Sequence, residues 1–264
     1  MIRVSVIVGL IWAMVMPVSA KIVTKVVEYQ HDDQTMEGFL AYDDAIEGKR
    51  PGVLICHQWK GLGDYERMRA KMLAEMGYVA FAADVYGQGV RPSTNEDAGK
   101  TASQFYQNRQ LLRDRANLGL EQLRQNERVD PQQLAAIGYC FGGTTVLELA
   151  RSGAELKGVV SFHGGLSTPH PEDAKQIRAK VLVLHGADDP YVPMEDVIAF
   201  QNEMKAAHVD WQFIAYGGAV HAFTDKNAGD DPSRGAAYNK KADLRSWEAM
   251  KIFFNEIFNS ESLK

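Results

Sequence analysis

Cysteine is scarce here: 264 residues contain two, Cys56 and Cys140. Two cannot build a disulfide scaffold, and their spacing excludes a C-x-x-C zinc or redox site. Basic charge is also short, with 29 Lys+Arg against 34 Asp+Glu and a net charge of −5. That leaves no positive field to hold a nucleic-acid backbone. Residues 4–16 are apolar apart from Ser5 and Gly9, too short a run for a comfortable membrane span. Gly99-Lys100-Thr101 imitates the end of a phosphate loop, but Thr94 stands where the motif needs glycine. Internal repeats and linker-like composition shifts are absent. What remains, 45% hydrophobic and 24% charged residues, is ordinary globular composition. The length suits one large α/β domain.

The first twenty residues read as a signal peptide. Arg3 precedes the apolar stretch, Pro17 breaks it, and Val18-Ser19-Ala20 supplies the small residues before a cleavage site. The expected mature chain starts near Lys21, with an uncleaved anchor as the other reading. Export would place the protein in the periplasm of a Gram-negative host, and otherwise outside the cell, without stable membrane insertion. An oxidising compartment makes a Cys56–Cys140 disulfide conceivable, provided the two α-carbons lie within about 7 Å.

Periodicity predicts two strands, 23–29 and 36–42, around a polar turn. Residues 52–57 form a short continuous apolar run, as expected of a strand covered on both faces. Tyr65, Met68, Met72 and Met76 predict one apolar helical face, ended by Gly77. Further strands are expected at 79–83, 134–139, 158–163, 180–186 and 211–216. Residues 84–100 read as a loop, followed by a long helix to about Asn126 with Leu112, Ala116, Leu120 and Leu123 on one stripe. Helices are also expected at 144–152, 194–208 and 235–259. Strand and helix alternate from Gly52 onward, which implies a mostly parallel sheet with helices on both faces, in one domain spanning 21–264.

The chemistry concentrates at Gly138-Tyr139-Cys140-Phe141-Gly142, between a buried strand and a helix. This is a nucleophile elbow with cysteine in place of serine. Bulk two residues either side of the nucleophile would strike neighbouring backbone, and a helix N-terminus favours a thiolate. An acid and a histidine should follow in that order. Asp188-Asp189 lies after the strand at 180–186, and His221 follows the Gly217-Gly218 turn. Cys140 would attack an acyl carbon, His221 would carry the proton, and one of the two aspartates would fix the imidazole. His57, His163 and His185 also end strands, yet no carboxylate is spaced to complete a metal site. Pocket-lining or hydrogen-bonded histidines are the preferred reading, with no metal and no cofactor.

The sequence resembles the dienelactone hydrolase family of α/β-hydrolases over nearly all of the mature chain. The matching stretches are H-Q-W-K-G-L at 57–62, A-A-D-V-Y-G at 82–87, I-G-Y-C-F-G-G at 137–143, S-F-H-G-G-L at 161–166, H-G-A-D-D-P-Y-V-P at 185–193 and G-G-A-V-H-A-F at 217–223. The resemblance implies a Cys140, Asp189 and His221 triad, with the Phe141 and Trp59 main-chain N–H groups as oxyanion donors. His57, Gln58, Tyr86 and His163 are expected to line the substrate pocket. Gln58 stands where many relatives carry a glutamate that helps deprotonate the cysteine. Either His221 then activates Cys140 unaided, or a neighbour such as His57 helps. Asp225 stands near a position where an arginine for a substrate carboxylate would be expected. The implied activity is hydrolysis of a small-molecule ester or lactone through a covalent acyl-enzyme. The alternatives are a general carboxylesterase or thioesterase of the same fold, and an exported domain that only binds.

Overall fold

The computed structural model describes residues 21–259, so the expected signal segment lies outside the described residues. Eight strands form one sheet: β1 (Ile22–His31), β2 (Gln34–Asp43), β3 (Arg50–Cys56), β4 (Val79–Ala83), β5 (Val129–Tyr139), β6 (Gly158–Phe162), β7 (Lys180–Gly186) and β8 (Trp211–Tyr216). Their order across the sheet is β1-β2-β4-β3-β5-β6-β7-β8. The β1–β2 hairpin and the β2–β4 pair are antiparallel, and every other pair is parallel.

Among the described residues six α-helices flank it: α1 (Asp64–Glu75), α2 (Asn95–Gln107), α3 (Arg109–Arg124), α4 (Phe141–Arg151), α5 (Met194–Ala206) and α6 (Lys240–Phe258). Alternation along the central strands sorts the core into two layers. Val53 and Ile55 pack with α1 and α6 on one face. Leu54 and Cys56 pack with α3, α4 and α5 on the other. Among the described residues no helix is long and apolar enough to cross a membrane.

Five local expectations need correction. The stretch expected as a loop already turns helical at Asn95, because the Thr94 side chain accepts the Asp97 N–H. The expected long helix is two helices, since non-helical backbone at Asn108 ends α2 and its side chain caps α3 through the Leu111 N–H. The helix after the elbow starts at Phe141 rather than Thr144, and the last helix starts at Lys240, capped by Asn239, rather than at Gly235. Helix α1 buries Glu66, Arg69, Ala70, Leu73 and Ala74 instead of the methionine face, and Met68 is exposed. Glu66 and Arg69 point inward because each finds polar partners there.

Candidate active site

Parallel register brings the C-terminal ends of β3, β5, β6 and β7 to one edge, with Cys56 beside Gly138 and Tyr139 beside Phe162. The chain leaves β5 and turns sharply at Cys140, whose φ is +55°. Two glycines make that turn passable. A Cβ on Gly138 would lie 1.9 Å from the Gly142 carbonyl oxygen, and one on Gly142 would lie 2.0 Å from the Cys56 carbonyl oxygen. Both are impossible contacts, so the glycines are steric requirements of the turn.

Two other strand ends deliver the partners. His221 Nε2 stands 3.1 Å from Cys140 Sγ, and its Nδ1 stands 2.8 Å from Asp189 Oδ2. Asp189 accepts the Tyr191 N–H on its other oxygen, at 2.9 Å. Asp188 points away and accepts the Gly218 N–H, so it braces the glycine turn. Burial alone would lower the His221 pKa, but the adjacent Cys140 sulfur and Asp189 carboxylate push it up to about 10. The Tyr191 ring meets the imidazole edge-on, 5.4 Å between centroids.

Phe141 opens α4, where the first N–H groups of a helix have no intrahelical acceptor. Among the described residues the Phe141 and Trp59 N–H groups donate to no protein atom. Half-buried Trp59 and Cys140 pack against the same Val85, Tyr86 and Phe141 cluster.

The residues expected to line the pocket take different parts. His57 is fully buried, accepts the Val85 N–H at Nε2 and bonds the Gln58 carbonyl through Nδ1. Burial pushes its pKa down to about 4. Its ring nitrogens are both engaged, so it lends no base to Cys140. Tyr86 is buried against Phe105 and Phe141, and its hydroxyl donates to the Trp59 carbonyl. His163 is fully buried beneath the elbow. Gln58 turns toward Asp225, donating from Nε2 to Oδ2 at 3.0 Å. Both cysteines are free, so the conceivable Cys56–Cys140 disulfide is not formed. His185 carries a buried Nδ1 without a partner, and the described residues hold no metal-binding cluster of three.

Glu66 was missed by sequence reading. Its carboxylate accepts the Gln58 N–H at 3.0 Å and the Gly63 N–H at 2.8 Å, clamping the loop that carries Trp59. The available signal was a helix start with Glu three residues after Gly63. Tyr106 was missed too; its ring packs 5.5 Å from Phe141.

A sequence profile described as the dienelactone hydrolase family matches residues 36–258. The solved structure titled m3DLH superposes with a TM-score of 0.87 at 42% identity, covering 90% of this chain and 99% of that one. A dienelactone hydrolase-like promiscuous phosphotriesterase, P91 from metagenomic libraries, superposes with a TM-score of 0.86 at 40% identity, covering 91% and 100%. Protein Usf of Aquifex pyrophilus is 26% identical over 239 residues, 88% of this chain and 98% of its own.

Proposed function

Since the chain belongs to the dienelactone hydrolase family, we propose that it hydrolyses small esters or lactones through a Cys140–His221–Asp189 triad and a covalent acyl-enzyme. The observation that carries this is one imidazole bridging a thiol at 3.1 Å and a buried carboxylate at 2.8 Å. Cys140 Sγ, as thiolate, attacks the acyl carbon. The carbonyl oxygen becomes an oxyanion, which the Phe141 and Trp59 N–H groups receive. Collapse breaks the C–O bond, and His221 Nε2–H protonates the departing alkoxide, which stays tethered if the substrate is a lactone. His221 then takes a proton from water, hydroxide attacks the thioester, and the thiolate leaves. Asp189 keeps the imidazole in one tautomer and offsets its charge. The helix α4 N-terminus favours the anionic sulfur.

The Gln58–Asp225 pair offers no positive charge to a substrate carboxylate, which favours neutral esters and lactones. Against a purely binding role stand the free Cys140 thiol and the imidazole aimed at it. A panel of p-nitrophenyl esters, simple lactones and one phosphotriester tests the reading. Cys140→Ala should abolish turnover and the acyl adduct seen by intact mass. Turnover within about tenfold of wild type would refute the covalent route. Export of a mature chain from Lys21 belongs to the same proposal; N-terminal sequencing of protein recovered outside the cytoplasm tests it.

A further inference from the structure

A buried chain of hydrogen bonds runs from the nucleophile's own backbone to a guanidinium on α1. The Cys140 N–H reaches the Phe162 carbonyl at 3.0 Å and also His163 Nδ1 at 3.1 Å. An N–H can only donate, so His163 Nδ1 accepts and the ring proton sits on Nε2. That proton goes to Thr224 Oγ1, 2.7 Å away. Thr224 Oγ1 meets the Tyr65 hydroxyl at 2.6 Å, and that hydroxyl also accepts the Arg69 Nε–H at 3.1 Å. Arg69 Nη2 donates to the Thr224 carbonyl at 3.1 Å and to Asp243 at 2.7 Å. Thr224 lies three residues after His221, on the same loop. Ala222, next to His221, has φ +55°, so this loop leaves His221 in a conformation it would not adopt freely.

We infer that His163, acting through Thr224, is a positioning residue that ties the backbone of the nucleophile to the loop bearing His221 and thereby sets the Cys140–His221 distance. The inference rests on the proposed triad. His163 is the right residue for the link because an imidazole accepts on one side and donates on the other across a fixed ring. The link holds only while the ring is neutral; a proton on Nδ1 would face the Cys140 N–H donor. Burial keeps the ring neutral, and the cationic neighbours His221 and Arg69 act in the same direction. The Tyr65 and Tyr139 hydroxyls are held protonated by burial, so they present no compensating negative charge. His221 meets the His163 ring at 65° with centroids 5.3 Å apart. One histidine of the pair is thereby fixed as neutral scaffold while the other carries the charge.

The test uses Thr224→Val, which removes the hydroxyl while keeping the shape, Thr224→Ser, which keeps the hydroxyl, and His163→Asn, which tolerates the positive φ of +38° at that position. Two readouts are taken: p-nitrophenyl acetate kinetics, and the pH dependence of Cys140 alkylation by iodoacetamide, followed by intact mass. Fully buried Cys56 is silent in the second. Thr224→Val and His163→Asn should lower kcat by about 10- to 100-fold, as misplaced reacting groups do, with KM changed by less than about threefold. Their alkylation profiles should move to higher pH, because the thiolate loses its aligned imidazolium. Thr224→Ser should recover most of the rate and the wild-type profile. Unchanged kcat and an unchanged alkylation profile in both disrupting variants would overturn the inference, as would a Thr224→Ser enzyme as impaired as Thr224→Val. If Thr224→Val fails to fold, Tyr65→Phe breaks the next bond and carries the same expectation. Alkylation needs no ester turnover, so a wild-type chain that hydrolyses nothing would defeat the hydrolase reading and leave this test standing.

Discussion

Glu66→Gln is the sharpest test of how the loop carrying Trp59 is held. Glu66 is 2% exposed and accepts two N–H groups, from Gln58 at 3.0 Å and Gly63 at 2.8 Å. Burial raises its pKa, and the two N–H bonds pull the other way. A glutamine fits the space, but its NH2 group must face one of the two donors. The substitution loses one charge-assisted bond worth about 1.5–3 kcal/mol and leaves a buried N–H unpaired at about 1–3 kcal/mol. Relief from burying a charge offsets part of this, so a net loss of roughly 2 kcal/mol is expected. The catalytic effect is larger in kind. Trp59 sits next to Gln58, and in the proposed mechanism its N–H must aim at the oxyanion. Removing an oxyanion donor outright costs about 10²–10³ in kcat. The Tyr86 hydroxyl and the Gly61 N–H still anchor the loop at the Trp59 and Gln58 carbonyls, so only part of that is lost. A fall in acylation rate of about 10- to 100-fold is expected. Stopped-flow release of p-nitrophenol gives acylation, and urea midpoints give stability. A variant that loses stability but acylates within about twofold of wild type would show that Trp59 is not placed by Glu66.

Asp189→Asn should lower turnover by up to about 10⁴-fold, the loss seen when a triad acid becomes an amide, whereas Asp188→Asn should cost far less because Asp188 only braces Gly218. Comparable losses in the two variants would contradict the geometry. Gln58→Glu should not act as a base by itself, because its carboxylate would face Asp225 across the present 3.0 Å contact and the pair would share a proton. Combined with Asp225→Asn it should speed acylation and move the pH–rate profile lower; a single variant as fast as the double would refute the coupling. Stability should fall as pH drops below about 6.5, where the unfolded chain protonates a histidine that the folded chain keeps neutral. For His57, with a folded pKa of about 4, the loss between pH 7 and pH 5 is about 2 kcal/mol. Urea midpoints at the two pH values check this, and His57→Gln, less stable throughout, should lose that part of the slope.

What could be read from the sequence, and what could not, divides along physical lines. The strands were legible because burial on both faces forces a short run such as Val53-Leu54-Ile55-Cys56 to be apolar throughout. Gly138 and Gly142 were legible because no other residue passes beneath that turn. Cys140 and His221 stood out because an elbow chemistry restricts both their identity and their order, whereas Asp189 was preferred to Asp188 only through the family resemblance, and it is the one that meets His221, at 2.8 Å. Local start signals at Thr94 and Asn108 were in plain view, yet helical propensity across 101–126 masked the break that Asn108 imposes. Helix α1 shows the deeper limit. Apolarity pointed to Tyr65, Met68, Met72 and Met76, while Glu66 and Arg69 lie on the face that turns inward. A buried charge is tolerated only with partners, and besides nearby Tyr65 those of Arg69 are Thr224 and Asp243, separated from it by 155 and 174 residues. No window along the chain holds both ends of such a bond. The same holds for His57 and His163: each follows a strand, as expected, but the partners of their Nε2 atoms, Val85 and Thr224, come from other elements. The groups that hold a site in place can come from any element that reaches it, so their roles appear only when the elements are brought together.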